Sequence, residues 1–146
     1  MSKTIYILFY SQSGSVKSIA NEIVKIFEEL EPEDVEIKLM EAEKMNLTAL
    51  KAASGYIIGT PNYFSAPSGY IKVFYDEMFP EKAVKGKPIF CFVSHGGSGD
   101  IPELITLNDW LKLETVGSTI VVNGGNLTDR HQQEIQDNLK VMLKKI

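Results

Sequence analysis

The chain has 146 residues, a formal net charge of −4 and a sequence pI near 5.2, which suit one domain with a real hydrophobic core and disfavour nucleic acid or an anionic membrane as main partner. Its longest apolar runs are of strand length, so no transmembrane helix is expected, and MSKT leads straight into a strand with no room for a signal peptide. The single cysteine, Cys91, excludes an internal disulfide and fits a reducing cytoplasm.

Thr4 to Tyr10 is uncharged and rich in β-branched, aromatic and aliphatic residues, which predicts a strand buried on both faces. Val16, Ile19, Ala20, Ile23, Val24, Phe27 and Leu30 then recur at three- and four-residue steps, the stripe of an amphipathic helix. Between them lies Ser11-Gln12-Ser13-Gly14-Ser15. A loop leading from a strand into a helix N-terminus offers unpaired N–H groups at the positive end of the helix dipole, and three hydroxyls add donors. Neither a Walker loop nor a Gly-x-Gly-x-x-Gly fingerprint is present. Phosphate binding and plain capping by Ser11 or Ser13 both fit this stretch.

An acidic turn from Glu28 to Asp34 precedes a second strand, in which Val35, Ile37 and Leu39 alternate with charged residues as at a sheet edge. Asn46 caps a short helix through Ala53. Tyr56 to Thr60 is a third strand running into Pro61-Asn62-Tyr63-Phe64-Ser65. A third helix with Ile71, Phe74 and Met78 on one face is closed by Pro80. Pro88 to Ser94 is the fourth strand and opens into His95-Gly96-Gly97-Ser98-Gly99-Asp100. Asp100 and Glu103 form a capping-box pattern for a helix through about Leu113, with Trp110 expected in the core. Thr119 to Val122 is the fifth strand, ended by Asn123-Gly124-Gly125-Asn126, and a last helix buries Ile135, Leu139, Met142 and Ile146. Cys91 is expected as a buried thiol and His131 as a surface residue, and the spread of histidines and cysteine leaves no metal site.

Strands alternating with helices predict an α/β fold, an open five-stranded parallel sheet in the order 2-1-3-4-5 with helices on both faces and 1–146 as a single domain. In that order the first, third and fourth strands are neighbours, so their hydroxyl-rich, aromatic and glycine-rich loops would surround one crevice at the strand ends.

With these loops the chain resembles the flavodoxin family over essentially its whole length, on Tyr10 to Ser15, Gly59 to Phe64 and Gly96 to Gly99. The resemblance implies FMN as cofactor. The Ser11, Ser13 and Ser15 hydroxyls and the N–H groups of Gln12, Ser13, Gly14, Ser15 and Val16 would take its phosphate. Thr60, Pro61, Asn62, Tyr63, Phe64 and Ser65 would line the ribityl chain and one ring face. Ser94, His95, Gly96, Gly97, Ser98 and Gly99 would approach the pyrimidine edge. Val16 stands where the family commonly has threonine, and Gly59-Thr60-Pro61-x-x-Phe64 is similar to quinone reductases related to the tryptophan-repressor-binding protein. The implied function is an FMN-binding electron-transfer protein of the cytoplasm, serving redox partner proteins or a small quinone-like acceptor as a monomer or weak homo-oligomer. The alternatives are an NAD(P)H-dependent quinone or flavin reductase using the same FMN, and a cofactor-free binding module. No side chain is required as catalytic acid or base. If a peptide of the second loop must turn over against reduced flavin, Asn62 is the residue there expected to tolerate φ > 0.

Overall fold

The computed structural model of the protein describes residues 2–79 and 84–146. Pro80, expected to close the third helix, lies outside those residues. β1 (Lys3–Phe9), β2 (Val35–Glu41), β3 (Gly55–Pro61), β4 (Pro88–His95), β5 (Glu114–Thr115) and β6 (Ile120–Asn123) form one sheet, and every pairing in it is parallel. The order is β2-β1-β3-β4-β5, with β6 also on β4. The predicted order therefore holds, but two short pieces fill its fifth place. β5 pairs with Pro88–Ile89 and β6 with Phe92–His95, while the chain between them leaves the ladder. The split coincides with Gly117, whose φ of 62° takes the chain out of extended geometry and toward Asn138.

α1 (Ser15–Glu29) and α5 (Asp129–Lys145) cover one face, while α2 (Leu47–Ala52), α3 (Gly69–Met78) and α4 (Glu103–Trp110) belong to the other. Alternation along β1, β3 and β4 divides the core accordingly: Ile5, Ile7, Phe9, Ile57 and Phe92 pack with α1 and α5, whereas Leu8, Ile58, Cys91 and Val93 pack with α3 and α4. The α1 stripe is buried at Val16, Ile19, Ala20, Ile23 and Phe27. Asn46 caps α2 as expected, accepting from the Ala49 N–H at 3.0 Å.

The expected capping box of α4 does not form. Asp100 Oδ1 accepts instead from the neighbouring Ile101 N–H at 2.7 Å, and Pro102, preset near helical φ, stands at the N-cap. α4 also stops short of Leu113, because Lys112 takes a φ of 57° after the Leu111 cap. Leu104, Asn108 and Leu111 then face inward at four- and three-residue steps, which turns Trp110 outward. Trp110 is 65% exposed, beside the exposed Phe79 at 6.3 Å between ring centres, and not in the core as the composition of that stretch suggested. His131 is no idle surface residue either. Its Nδ1 accepts from the Thr128 N–H, its Nε2–H donates to the Val121 carbonyl, and so it ties α5 to β6.

Candidate functional site

Strand order reverses between β1 and β3, so their carboxyl ends and that of β4 flank one crevice. The loop after β1 is shaped by Ser11. Its Oγ accepts from the N–H groups of Gly14 at 3.1 Å and Lys17 at 3.2 Å, while Gly14 takes a φ of 96° at the N-cap of α1. Ser11 is thus the cap, acting across six residues, and the Gly14 N–H is used within the loop. The N–H groups of Gln12, Ser13, Ser15 and Val16 have no acceptor among the described residues, and the Ser13 and Ser15 hydroxyls stand 3.5 Å apart. Unpaired N–H groups and two hydroxyls at a helix N-terminus are the donor set a phosphate requires. The cap and this donor set therefore coexist, on different atoms. The Val16 side chain is buried in the core, so only its N–H faces that set. A cavity of about 370 Å³ beside the loop is lined by Phe9, Lys17, Glu41 and Glu43.

The loop after β3 makes a tight turn at Phe64 and Ser65, with φ of 56° and 66°. Reciprocal hydrogen bonds between the Tyr63 and Ala66 main chains, at 2.9 and 3.0 Å, close it. Two successive positive φ values match the two-residue hairpin turn that usually holds Asn-Gly. Asn62 was expected to take the left-handed position; Phe64 and Ser65 take it instead, and Asn62 acts through its side chain. Its Oδ1 accepts from the Ser65 N–H at 2.8 Å, and its Nδ2 donates to the Gly99 carbonyl at 2.9 Å and the Asp100 carbonyl at 3.3 Å. Tyr63 reaches the other way and donates through its phenol to Gln12 Oε1 at 2.5 Å. Burial, with Tyr10 adding to it, raises the Tyr63 phenol above its ordinary value. Tyr10 stacks on Tyr70 at 5.1 Å and lies edge-on to Tyr63 at 6.4 Å. The Phe64 ring is fully exposed.

In the loop after β4, His95 Nδ1 accepts from the Gly97 N–H at 2.9 Å, which puts the imidazole proton on Nε2. Gly97 and Gly99 have φ of 131° and 82°, and a Cβ built on either, or on Gly96, would meet nothing within 4 Å. These glycines leave open room for a planar group to approach the main chain. Two of the expected residues do their work behind the crevice. Thr60 is wholly buried, its hydroxyl donating to the Pro61 carbonyl and accepting from the Ser68 N–H. Ser94 is nearly buried and donates to the Gly124 carbonyl at 2.7 Å.

The loop after β6 also reaches this region and was missed in the sequence. The Gly124 N–H donates to the His95 carbonyl, and a Cβ on Gly125 would stand 3.2 Å from Ser15 Cα. Its Gly-Gly pair was legible, but its contact with the start of α1 was not. Among the described residues no cluster of metal-ligating side chains exists. Cys91 is buried and its thiol is pushed up to about 11 by that burial, so it is no nucleophile.

A family model described as NADPH-dependent FMN reductase matches residues 38–133, which take in the loops after β3, β4 and β6. A probable NAD(P)H dehydrogenase (quinone), FQR1-like 2, of Arabidopsis thaliana is 29% identical over 117 residues, covering 65% of this chain. The chain spans 43% of that relative's length. Among solved structures, flavodoxin 1 of Bacillus cereus superimposes with a TM-score of 0.80 at 18% identity, covering 99% of both chains. The Streptococcus pneumoniae TIGR4 flavodoxin gives 0.80 at 14% identity over 98% of this chain and 99% of that one. The flavodiiron protein of Giardia intestinalis gives 0.81 at 16% identity, covering 99% of this chain and 36% of its own. At such identities these likenesses establish the flavodoxin-like fold.

Proposed function

The chain belongs to the NADPH-dependent FMN reductase family, and from that premise we propose that it is an FMN-dependent oxidoreductase moving electrons from a reduced nicotinamide nucleotide to a quinone-like acceptor. The observation that carries the reading is the set of unpaired N–H groups of Gln12, Ser13, Ser15 and Val16, beside two loops cross-linked by Asn62. Bound FMN supplies the redox chemistry itself. The loop after β1 binds its phosphate through those N–H groups and the Ser13 and Ser15 hydroxyls. Pro61 to Ser65 offer the ring a face, and Tyr63 holds that loop against Gln12. The backbone of Gly96 to Gly99 offers donors to the ring's polar edge, with the His95 Nε2–H as a further donor. Thr60 and Ser94 hold the two loops in shape from behind. Residues 1–146 act in this reading as one FMN-binding domain of the cytoplasm, and no helix among the described residues is long and apolar enough to cross a membrane.

A second reading, an electron carrier serving protein partners, is favoured by the exposed Phe64 ring and by exposed Tyr70 and Val73 beside the loops, apolar surface that suits a docked protein. The phosphate assignment is tested with Ser13→Asp. A fixed carboxylate among the same donors should abolish FMN binding in a fluorescence titration, and riboflavin should bind wild type far more weakly than FMN. An Asp variant that binds FMN as tightly as wild type would remove the phosphate from this loop.

A further inference from the structure

We propose that Asn62 is the positioning residue of this site: one carboxamide holds the loop after β3 to the loop after β4 and keeps the Phe64–Ser65 turn left-handed. Its main-chain N–H donates to the Ser94 carbonyl at 2.9 Å, its Nδ2 to the Gly99 and Asp100 carbonyls, and its Oδ1 accepts from the Ser65 N–H. The orientation of the amide follows from its partners, since a flip would set oxygen against two carbonyls and NH₂ against an N–H. Among the described residues no other side chain bridges these two loops. The turn has no glycine, so its two positive φ values carry a steric cost, which the bond from the Ser65 N–H to Asn62 Oδ1 helps to offset. The Nδ2 bond to the Gly99 carbonyl is part-buried, where such a bond is stronger than in water. The two loops it joins are those proposed to flank the flavin ring, so Asn62 sets the spacing between them.

The role in ring binding rests on the FMN reading, but the clamp itself is measured without FMN. Asn62→Asp and Asn62→Ala separate its two functions. The aspartate keeps an acceptor for Ser65 but sets a carboxylate oxygen against the Gly99 and Asp100 carbonyls; the alanine removes both functions. In amide NMR of the FMN-free protein, Ser65 exchange should stay slow in Asn62→Asp and rise at least tenfold in Asn62→Ala. The Gly97 to Asp100 resonances should move in both variants. On acidification the aspartate variant regains a donor, so its loop resonances should return toward those of wild type at the same pH, while the alanine variant's do not. The titratable groups around the new carboxyl are Asp100 and His95 on the facing loop and Tyr63 on its own.

At neutral pH Asn62→Asp should weaken FMN and riboflavin by the same factor, about tenfold or more, because the defect lies at the ring and not at the phosphate. Unchanged Ser65 exchange in Asn62→Ala, or unmoved Gly97 to Asp100 resonances in both variants, would overturn the clamp whatever the affinity does. Moved resonances with unchanged flavin affinity would overturn its positioning role. The expected resonance changes in the variants, together with a wild type that binds no FMN, would support the clamp and sink the FMN reading instead.

Discussion

Phe64 places an aromatic side chain in a backbone conformation that costs on the order of 1–2 kcal/mol for a residue with a Cβ, while its ring buries nothing. Phe64→Gly removes that cost and adds roughly 0.5–1 kcal/mol of unfolded-state entropy against it. The variant should therefore be more stable than wild type, by about 0.5–1 kcal/mol or roughly 2 °C in Tm without FMN, read by calorimetry. An unchanged or lower Tm would show that the turn is not strained there. The buried pair Cys91 and Tyr75 gives a second expectation at this scale. Burial raises the Cys91 thiol from 9.0 to about 11 and the Tyr75 phenol well above its ordinary value, while bonds from Asn108 and Tyr75 to the thiol act the other way. The unfolded thiol thus ionises first, and the stability present below pH 9 is lost as pH rises through 9 to 11. The loss from Cys91 is on the order of 1 kcal/mol at pH 10. Urea titrations at pH 8 and pH 10 should show it, and Cys91→Ala should flatten that part of the slope.

At the scale of elements, the close pairing of β3 with β4 depends on Gly59. It sits opposite Phe92 in the ladder, and a Cβ there would lie 2.1 Å from the Phe92 ring, which is wholly buried. Gly59→Ala must therefore displace a packed aromatic ring, at a cost of about 2–3 kcal/mol. Phe92→Leu in the same chain should recover part of that loss, and additive single effects in the double-mutant cycle would refute the contact as the cause. The loops above this pair are joined by long-range polar bonds: Tyr63 to Gln12 across 51 residues, and Asn62 to Gly99 across 37. These cross-links hold three separate strand ends as one rim.

At the scale of the whole molecule, the reductase and carrier readings share one fold and one set of loops and differ in what the protein does alone. With FMN bound and no other protein present, the reductase should oxidise NAD(P)H in the presence of a quinone, with ping-pong kinetics if donor and acceptor use one flavin face in turn. A carrier should show negligible turnover until a partner reductase is added, and that result would overturn the proposed function in favour of the second reading. The family membership favours turnover. The exposed aromatic and aliphatic surface at Phe64, Tyr70 and Val73 lies where either a small acceptor or a docking protein would meet the rim.

The sequence by itself determined the succession of strands and helices and marked the three loops proposed to carry the site, because each rests on a local signal, while the parallel sheet order followed from the usual order of such alternating folds. A period-two or period-3.6 apolar pattern, a capping Asn46 or a run of glycines is legible within a few residues. The tertiary structure alone decided that β5 and β6 share one edge of β4, that Ser11 caps α1 from six residues away, and that Trp110 faces solvent. It also decided that Phe64 and Ser65, not Asn62, are left-handed, and that Asn62 spends its carboxamide on a neighbouring loop. The physical reason is one of range. Hydrophobic periodicity is written along the chain, whereas a polar group takes whichever partner the strand register and loop path bring to it, from three residues away, as for Asn62 and Ser65, to tens of residues away, as for Asn62 and Gly99.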